Sequence, residues 1–302
     1  MEESTFLGVP YVIIPILFVP VHVVICLILA STKKFYRQAV YLILLQLCYA
    51  NGILLVTMFF AGIFELTKKK FNFSDDVRPL EIALFLSPPR VTAPFQTMSA
   101  LSFWYRVIYA SLALLLVINR IIWAFGLYLE YEVDIYRYFF FLMWFGLAVL
   151  VLMSNYLSFQ FTYNLKHHYY LFNDSNSGSN VDNYIIIGLL ATSTLCHLTV
   201  LLRLLYLIIR KRLQLYRSDV LMYIVVVLIF IPFLVMQTAR HFLEKHVEEN
   251  AAYRFTYIFS YRMVAVLNIV TVIVFNKDLQ KRIEEASIKN FRKTIFFIKM
   301  KF

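Results

Sequence analysis

The feature that most constrains this chain is a series of long apolar stretches that contain no charged residue. A membrane-spanning helix needs about 20 mostly apolar residues. A bilayer admits only structures that satisfy their own backbone hydrogen bonds. We therefore predict an all-α membrane protein. The uncharged stretches cover residues 4–32, 38–64, 138–165, 183–202 and 220–239.

Two further apolar stretches each contain a single cation, which is Arg106 in one and Arg262 in the other. Their flanks are as apolar as the other five stretches, so we predict seven spans with the topology of rhodopsin-like receptors. A short amphipathic helix follows the seventh span, within a tail of residues 276–302. One domain covers residues 1–302. The predicted spans are 7–30, 39–64, 97–121, 138–160, 184–205, 220–239 and 255–275.

Composition supports a lipid environment. Apolar and aromatic residues make up 61% of the chain and charged residues 16%, against about 25% charged residues in soluble domains. The net charge of +11 comes from short basic clusters between the apolar stretches. Such clusters are typical of topology signals and of contacts with anionic lipids, so we predict no nucleic-acid partner.

The distribution of Lys and Arg predicts the orientation. If the N-terminus is extracellular, roughly twice as many Lys and Arg residues lie on the cytosolic side as outside. The glycosylation sequons at Asn72 and Asn173 then both fall in extracellular loops. We predict a multi-pass protein of the plasma membrane with a cytosolic C-terminus and glycans on both asparagines.

No pattern in the chain indicates catalysis. Cys26, Cys48 and Cys196 lie inside apolar stretches and lack zinc-site spacing, and the six histidines are scattered. No nucleophile elbow or phosphate-binding loop is present in the sequence. We expect no enzymatic activity, no cofactor and no metal site.

Several positions resemble the switch region of rhodopsin-like receptors. Asn119 and Arg120 end the third span, Pro232 interrupts the sixth and Asn268 lies in the seventh. Three basic residues follow the fifth span, namely Arg210, Lys211 and Arg212. In that family an acid precedes the arginine, and the sixth helix pivots at its proline. Here Asn119 replaces the acid, so that local ion pair is missing. The alternatives are that Arg120 snorkels to lipid headgroups, that Pro232 forms a static kink, and that the basic residues after the fifth span only anchor the topology.

The whole chain resembles the nematode serpentine chemoreceptors, in particular the V-type class of their gamma superfamily. The resemblance rests on residues 35–46, the pair Asn119 and Arg120, residues 275–281 and the chain length. It implies a chemosensory receptor that binds a small-molecule ligand and signals through a heterotrimeric G protein. A transporter of small solutes and a membrane scaffold are the alternatives, and the sequence leaves the oligomeric state open.

The intramembrane cations suggest the chemistry of the ligand. Arg106 lies about 21 Å before Arg120 along a helix and roughly on the same face. Ionisable residues inside spans usually face the interior and mark sites. We therefore predict an outer pocket for an anionic ligand, although snorkelling or pairing with the loop acids Asp174, Asp182 or Glu249 is the alternative. The predicted ligand residues are Arg106, Arg262, Tyr105, Tyr109, Tyr257 and Tyr261.

Overall fold

A computed structural model of the chain describes its helical core and part of its connections. Predicted features outside the described residues include Asn72, Asn173, Lys211, Arg212 and the tail from residue 286 onward. The side chain of Tyr257 also lies outside the description. The described residues are 3–71, 92–127, 129–156, 161–164, 169–172, 178–210, 217–249, 251–277 and 279–285.

The described residues form eight named helices and one two-stranded hairpin. The strands β1 (Phe161–Asn164) and β2 (Tyr169–Phe172) are antiparallel, with Phe161 opposite Phe172. The helices are α1 (Glu3–Ser31), α2 (Lys33–Tyr36), α3 (Ala39–Phe71), α4 (Thr92–Ala124), α5 (Glu132–Tyr156), α6 (Gly178–Ile209), α7 (Arg217–Glu249) and α8 (Ala251–Phe275).

The protein is a multi-pass membrane protein. Five helical segments are long and apolar enough to cross a bilayer, within α1, α3, α4, α6 and α7. A sixth is reached if the end of α8 and the short helix that follows it form one bent span. The predicted fourth span, as far as residue 156, lies in α5 and the predicted seventh span lies in α8, so a helix occupies the described part of each predicted span. Seven crossings remain a prediction.

The helices α3 and α1 differ in how much of their surface is buried within the protein. Most residues of α3 between Ala39 and Ile63 are buried, whereas α1 exposes large apolar side chains such as Leu17 and Leu27. Water would penalise that exposure, but lipid does not, because its tails are as apolar as leucine. The helix α1 also contains three prolines, which membrane helices tolerate better than soluble ones.

The helix α4 lies at the centre of the bundle, because it packs against α3, α5, α6 and α7. The helix α3 contacts α1, α4, α5 and α8. Gly62 on α3 lies against α1 where there is no room for a side chain. A Cβ atom at this position would lie 2.9 Å from the backbone and side chain of Tyr11. We call the two ends of the bundle the Arg106 end and the Arg120 end, after residues of α4.

The chain turns sharply where α8 ends. Residues Leu279–Glu285 form a short helix at 86° to the end of α8. Asn276 caps it, since the backbone N–H of Leu279 donates to Asn276 Oδ1 at 3.1 Å. Leu279 is buried, whereas Lys281 and Arg282 are exposed. A short helix with a buried leucine and exposed cations therefore follows α8, at the position where the sequence predicts an amphipathic helix.

Candidate functional site: a buried polar core

The candidate site begins with the buried face of α4. Tyr105, Arg106, Tyr109, Asn119 and Arg120 are all buried although they lie in an apolar helix. Their spacing places them on or near one face. The helix α4 therefore carries predicted ligand residues toward the Arg106 end and predicted switch residues at the Arg120 end.

A hydrogen-bonded network connects α4 to α3 and α8. The hydroxyl of Tyr105 donates to Oδ1 of Asn51 at 3.1 Å. The amide nitrogen of Asn268 donates to the hydroxyl of Tyr109 at 2.7 Å and lies 3.5 Å from Asn51 Oδ1. All four side chains are at most 2% exposed. We call this cluster of Asn51, Tyr105, Tyr109 and Asn268 the polar core. It provides hydrogen bonds for both tyrosine hydroxyls, whose burial alone would be costly.

Tyr109 also connects the polar core to α7, next to its proline. Its hydroxyl donates to the backbone carbonyl of Ile229 at 3.0 Å. Its ring lies 4.2 Å, centroid to centroid, from Phe233. Pro232 has no N–H to donate to the carbonyl one turn earlier, which weakens the helix there. One hydroxyl therefore bridges three helices beside the interrupted turn of α7.

The two cations that the sequence places inside apolar stretches are buried in the bundle. Arg106 is 9% exposed and Arg262 is 5% exposed. The guanidinium of Arg262 lies 4.1 Å from the ring centroid of the buried Tyr11 of α1. Cation–π contacts of this kind contribute about 2 kcal/mol when desolvated. The neighbouring Tyr261 contacts Tyr105 edge to face at 6.3 Å.

At the Arg120 end, an acid from the next helix approaches Asn119. The Asn119 amide nitrogen donates to Oε1 of Glu132, the first residue of α5, at 2.6 Å. Arg120 in turn donates to Oδ1 of Asn119. Asn119 thus connects the cation to a carboxylate of the next helix, at the position where Asn119 itself replaces the acid of rhodopsin-like receptors. The acidic first turn of α5 was the available sequence signal.

A tyrosine completes this group of charged and polar residues. Burial, together with the charge of nearby Glu132, raises the pKa of Tyr136 to about 12, although its hydrogen bond with Asn119 acts in the opposite direction. Tyr136 therefore stays neutral at physiological pH. The guanidinium of Arg120 also lies 5.8 Å from the ring centroid of Trp123.

Of the three basic residues predicted to follow the fifth span, Arg210 is described. It is exposed at the end of α6, and its guanidinium lies 5.3 Å from the ring centroid of Tyr206. One turn before Tyr206 along α6, Arg203 donates to the backbone carbonyl of Ala124 at 3.4 Å. Arg203 therefore connects the ends of α4 and α6, a role that sequence reasoning did not assign.

A cavity of about 770 Å³ lies between α1, α3 and α5, with Leu101 of α4 also in its wall. Of the predicted ligand residues whose side chains are described, none lines it, namely Arg106, Arg262, Tyr105, Tyr109 and Tyr261. Sequence reasoning missed this cavity because its walls are ordinary apolar residues contributed by separate helices.

Within the described part of the chain, no group of three or more His, Cys, Asp or Glu residues could hold a metal ion. No protein-family model matches the chain, and no curated protein is significantly similar to it.

Proposed function

We propose that this protein is a chemosensory G-protein-coupled receptor of the plasma membrane. Its seven helices would place the N-terminus outside the cell and the C-terminus in the cytosol. A small ligand, preferably anionic, binds near the Arg106 end and shifts an equilibrium between inactive and active arrangements. A heterotrimeric G protein then binds at the Arg120 end.

The observation that supports this proposal best is the position of Tyr109. Its hydroxyl contacts α7 beside Pro232 and α8 at Asn268. It lies one turn from Arg106 and about 16 Å along α4 from Arg120. A ligand that displaced this part of α4 would disturb the interrupted turn of α7, where the helix is easiest to bend.

The Arg120 end supplies an arrangement that could be released. Asn119 accepts from Arg120 within α4 and donates to Glu132 of α5, so one charge-assisted hydrogen bond joins α4 to α5 and a second holds the cation beside it. Such bonds contribute about 1.5–3 kcal/mol each. A G protein that competes for Arg120 would bind the released arrangement and stabilise it.

The preference for an anion rests on Arg106 and Arg262. Cations within a membrane protein cost several kcal/mol and usually mark a pathway or site. Both cations are buried, and tyrosines lie beside them in the chain and across the bundle. A carboxylate would offset the desolvation of a guanidinium, which a neutral ligand of the same shape could not do.

The test is a ligand screen in cells that lack related receptors, with G-protein activation as the readout. Carboxylic acids are compared with their neutral amides, using the wild type, Arg106→Ala and the charge-preserving Arg106→Lys. We expect the sensitivity of the alanine variant to acids to fall at least about tenfold, which corresponds to about 1.4 kcal/mol of binding free energy. The lysine variant should retain part of the response, and surface expression of each variant is measured in parallel.

Two outcomes would contradict the proposal. Equal sensitivity of wild type and Arg106→Ala to an active acid would exclude the anion site. Uptake of solute into liposomes containing the purified protein, without any G-protein response in cells, would favour a transporter instead.

A further inference from the structure

The cavity between α1, α3 and α5 opens toward the lipid-facing side of the bundle. Val23 and Leu27 of α1 and Val56 of α3 line it, and each is at least 36% exposed. Its volume of about 770 Å³ falls within the usual range for small-molecule sites, about 300–1,000 Å³. In a bilayer, the molecules that reach such an opening first are lipids.

The walls of the cavity restrict the charge of its occupant. None of the described residues that line it is Asp, Glu, Lys or Arg. A charged headgroup inside the cavity would lose its hydration without gaining an ionic partner, which is strongly unfavourable. An uncharged and mostly apolar molecule loses little solvation free energy on leaving the bilayer, and it gains close van der Waals contacts with the walls.

Gln46 provides a hydrogen-bonding position in these mostly apolar walls, which also include His22 and Tyr49. Trp144 Nε1 donates to Gln46 Oε1 at 2.6 Å, and both residues line the cavity. This bond uses the amide oxygen and orients the amide group, whose nitrogen has two N–H donors. A hydroxyl or carbonyl oxygen on the occupant could accept from that nitrogen.

We propose that this cavity binds one uncharged lipid from the surrounding bilayer. Its apolar body packs against Val23, Leu27 and Val56, and its single small polar group accepts a hydrogen bond from Gln46. The bound lipid fills the space between α1, α3 and α5. This site is separate from the proposed anion pocket and requires only that the protein lies in a membrane.

Gly52 allows the cavity to be filled without disturbing its walls. It lines the cavity, and a Cβ atom added there meets no other atom within 4 Å. The leucine of Gly52→Leu should therefore project into the space that the lipid occupies. Gly188 on α6 has the same open surroundings but does not line the cavity, so Gly188→Leu is the matched control.

The experiment uses the full chain in phosphatidylcholine nanodiscs that contain a photoreactive sterol as the uncharged probe. After irradiation, mass spectrometry locates the labelled residues. Parallel nanodiscs contain a photoreactive phosphatidylcholine instead. No ligand or G protein is present, so the result is independent of the proposed receptor function.

We expect the sterol to label residues of the cavity in the wild type and in Gly188→Leu. Labelling should fall about tenfold in Gly52→Leu, equivalent to a loss of about 1.4 kcal/mol of binding. Equal labelling of both leucine variants would overturn the proposal, as would equally strong labelling of the cavity by phosphatidylcholine. If melting followed by tryptophan fluorescence shows that Gly52→Leu does not fold, Val56→Phe fills the cavity from another position and replaces it.

Discussion

At the scale of single residues, the position of Tyr109 depends on two hydrogen bonds that one hydroxyl can make at once. The oxygen accepts from Asn268 while its hydrogen is donated to the Ile229 carbonyl. A phenylalanine would keep the ring contact with Phe233 but lose both bonds. The polar core therefore needs a tyrosine here, which hydropathy alone would not distinguish from another aromatic residue.

We predict that Tyr109→Phe lowers the stability of the purified protein by about 1–3 kcal/mol, because it leaves buried polar groups unsatisfied. Thermal melting in detergent measures the change. Tyr138→Phe is the control, since Tyr138 is 70% exposed on α5 and its hydroxyl should contribute little. The same shift in both variants would contradict a specific role for Tyr109.

A second prediction concerns Glu132. Glu132→Gln keeps an oxygen to accept from Asn119 but removes the negative charge, which should weaken the bond by about 1 kcal/mol. That difference shifts a two-state equilibrium about fivefold. If the released arrangement is the active one, ligand-independent G-protein activation should rise by up to that factor.

The matched control is Asp134→Asn, in the same turn of α5. Asp134 is 67% exposed and pairs with Arg137, which is a weak type of surface ion pair. The interpretation of Glu132 requires that Asp134→Asn leave basal activity unchanged. Equal activation by the two variants would assign the effect to the net charge of this region.

At the scale of elements, the contact between α1 and α3 depends on a glycine. The Cα of Gly62 lies against Tyr11 and Val12, with no room for a side chain. Gly52 lies on the same helix, where a Cβ atom would enter open space. Both glycines would gain helix propensity on substitution by alanine, so only the contact with α1 differs between them.

We predict that Gly62→Ala destabilises the protein by about 1–3 kcal/mol through overpacking. Gly52→Ala should be neutral or stabilising by up to about 1 kcal/mol. Thermal melting of the two variants under identical conditions measures both effects. Equal melting temperatures would show that α1 can move away from α3 at little cost.

The sequence was informative about elements whose pattern is local. Long uncharged stretches predicted the positions of the spanning helices, because a bilayer requires that length and polarity. The bend after α8 was predictable as well, since Asn276 stands where an amphipathic pattern begins. The start of α5 was less predictable, and with it the contact of Glu132 with Asn119.

At the scale of the whole molecule, the surface indicates what surrounds it. Large apolar side chains are exposed along α1, α5 and α6, including Leu27, Phe141 and Leu195. Soluble proteins rarely show continuous apolar surfaces of this extent. This surface does not define which end of the bundle faces the cytosol. The proposed G-protein contact requires that the Arg120 end does.

We predict that glycosidase treatment increases the electrophoretic mobility of the protein made in animal cells. The double variant Asn72→Gln, Asn173→Gln should not show this change. A C-terminal tag should bind antibody only after the cells are permeabilised. A tag accessible on intact cells would contradict both the cytosolic C-terminus and the proposed receptor function.

The sequence alone determined that the chain lies in a membrane and where its helices run, because both follow from local length and polarity. It also showed that Arg106 and Arg262 are cations inside long apolar stretches and that Arg120 lies at the end of one. Only the tertiary structure brought Asn51, Tyr105, Tyr109 and Asn268 together, since they come from three helices far apart in the chain. The same holds for the cavity between α1, α3 and α5. Such contacts depend on how helices pack and rotate against each other, which periodicity within one helix does not specify.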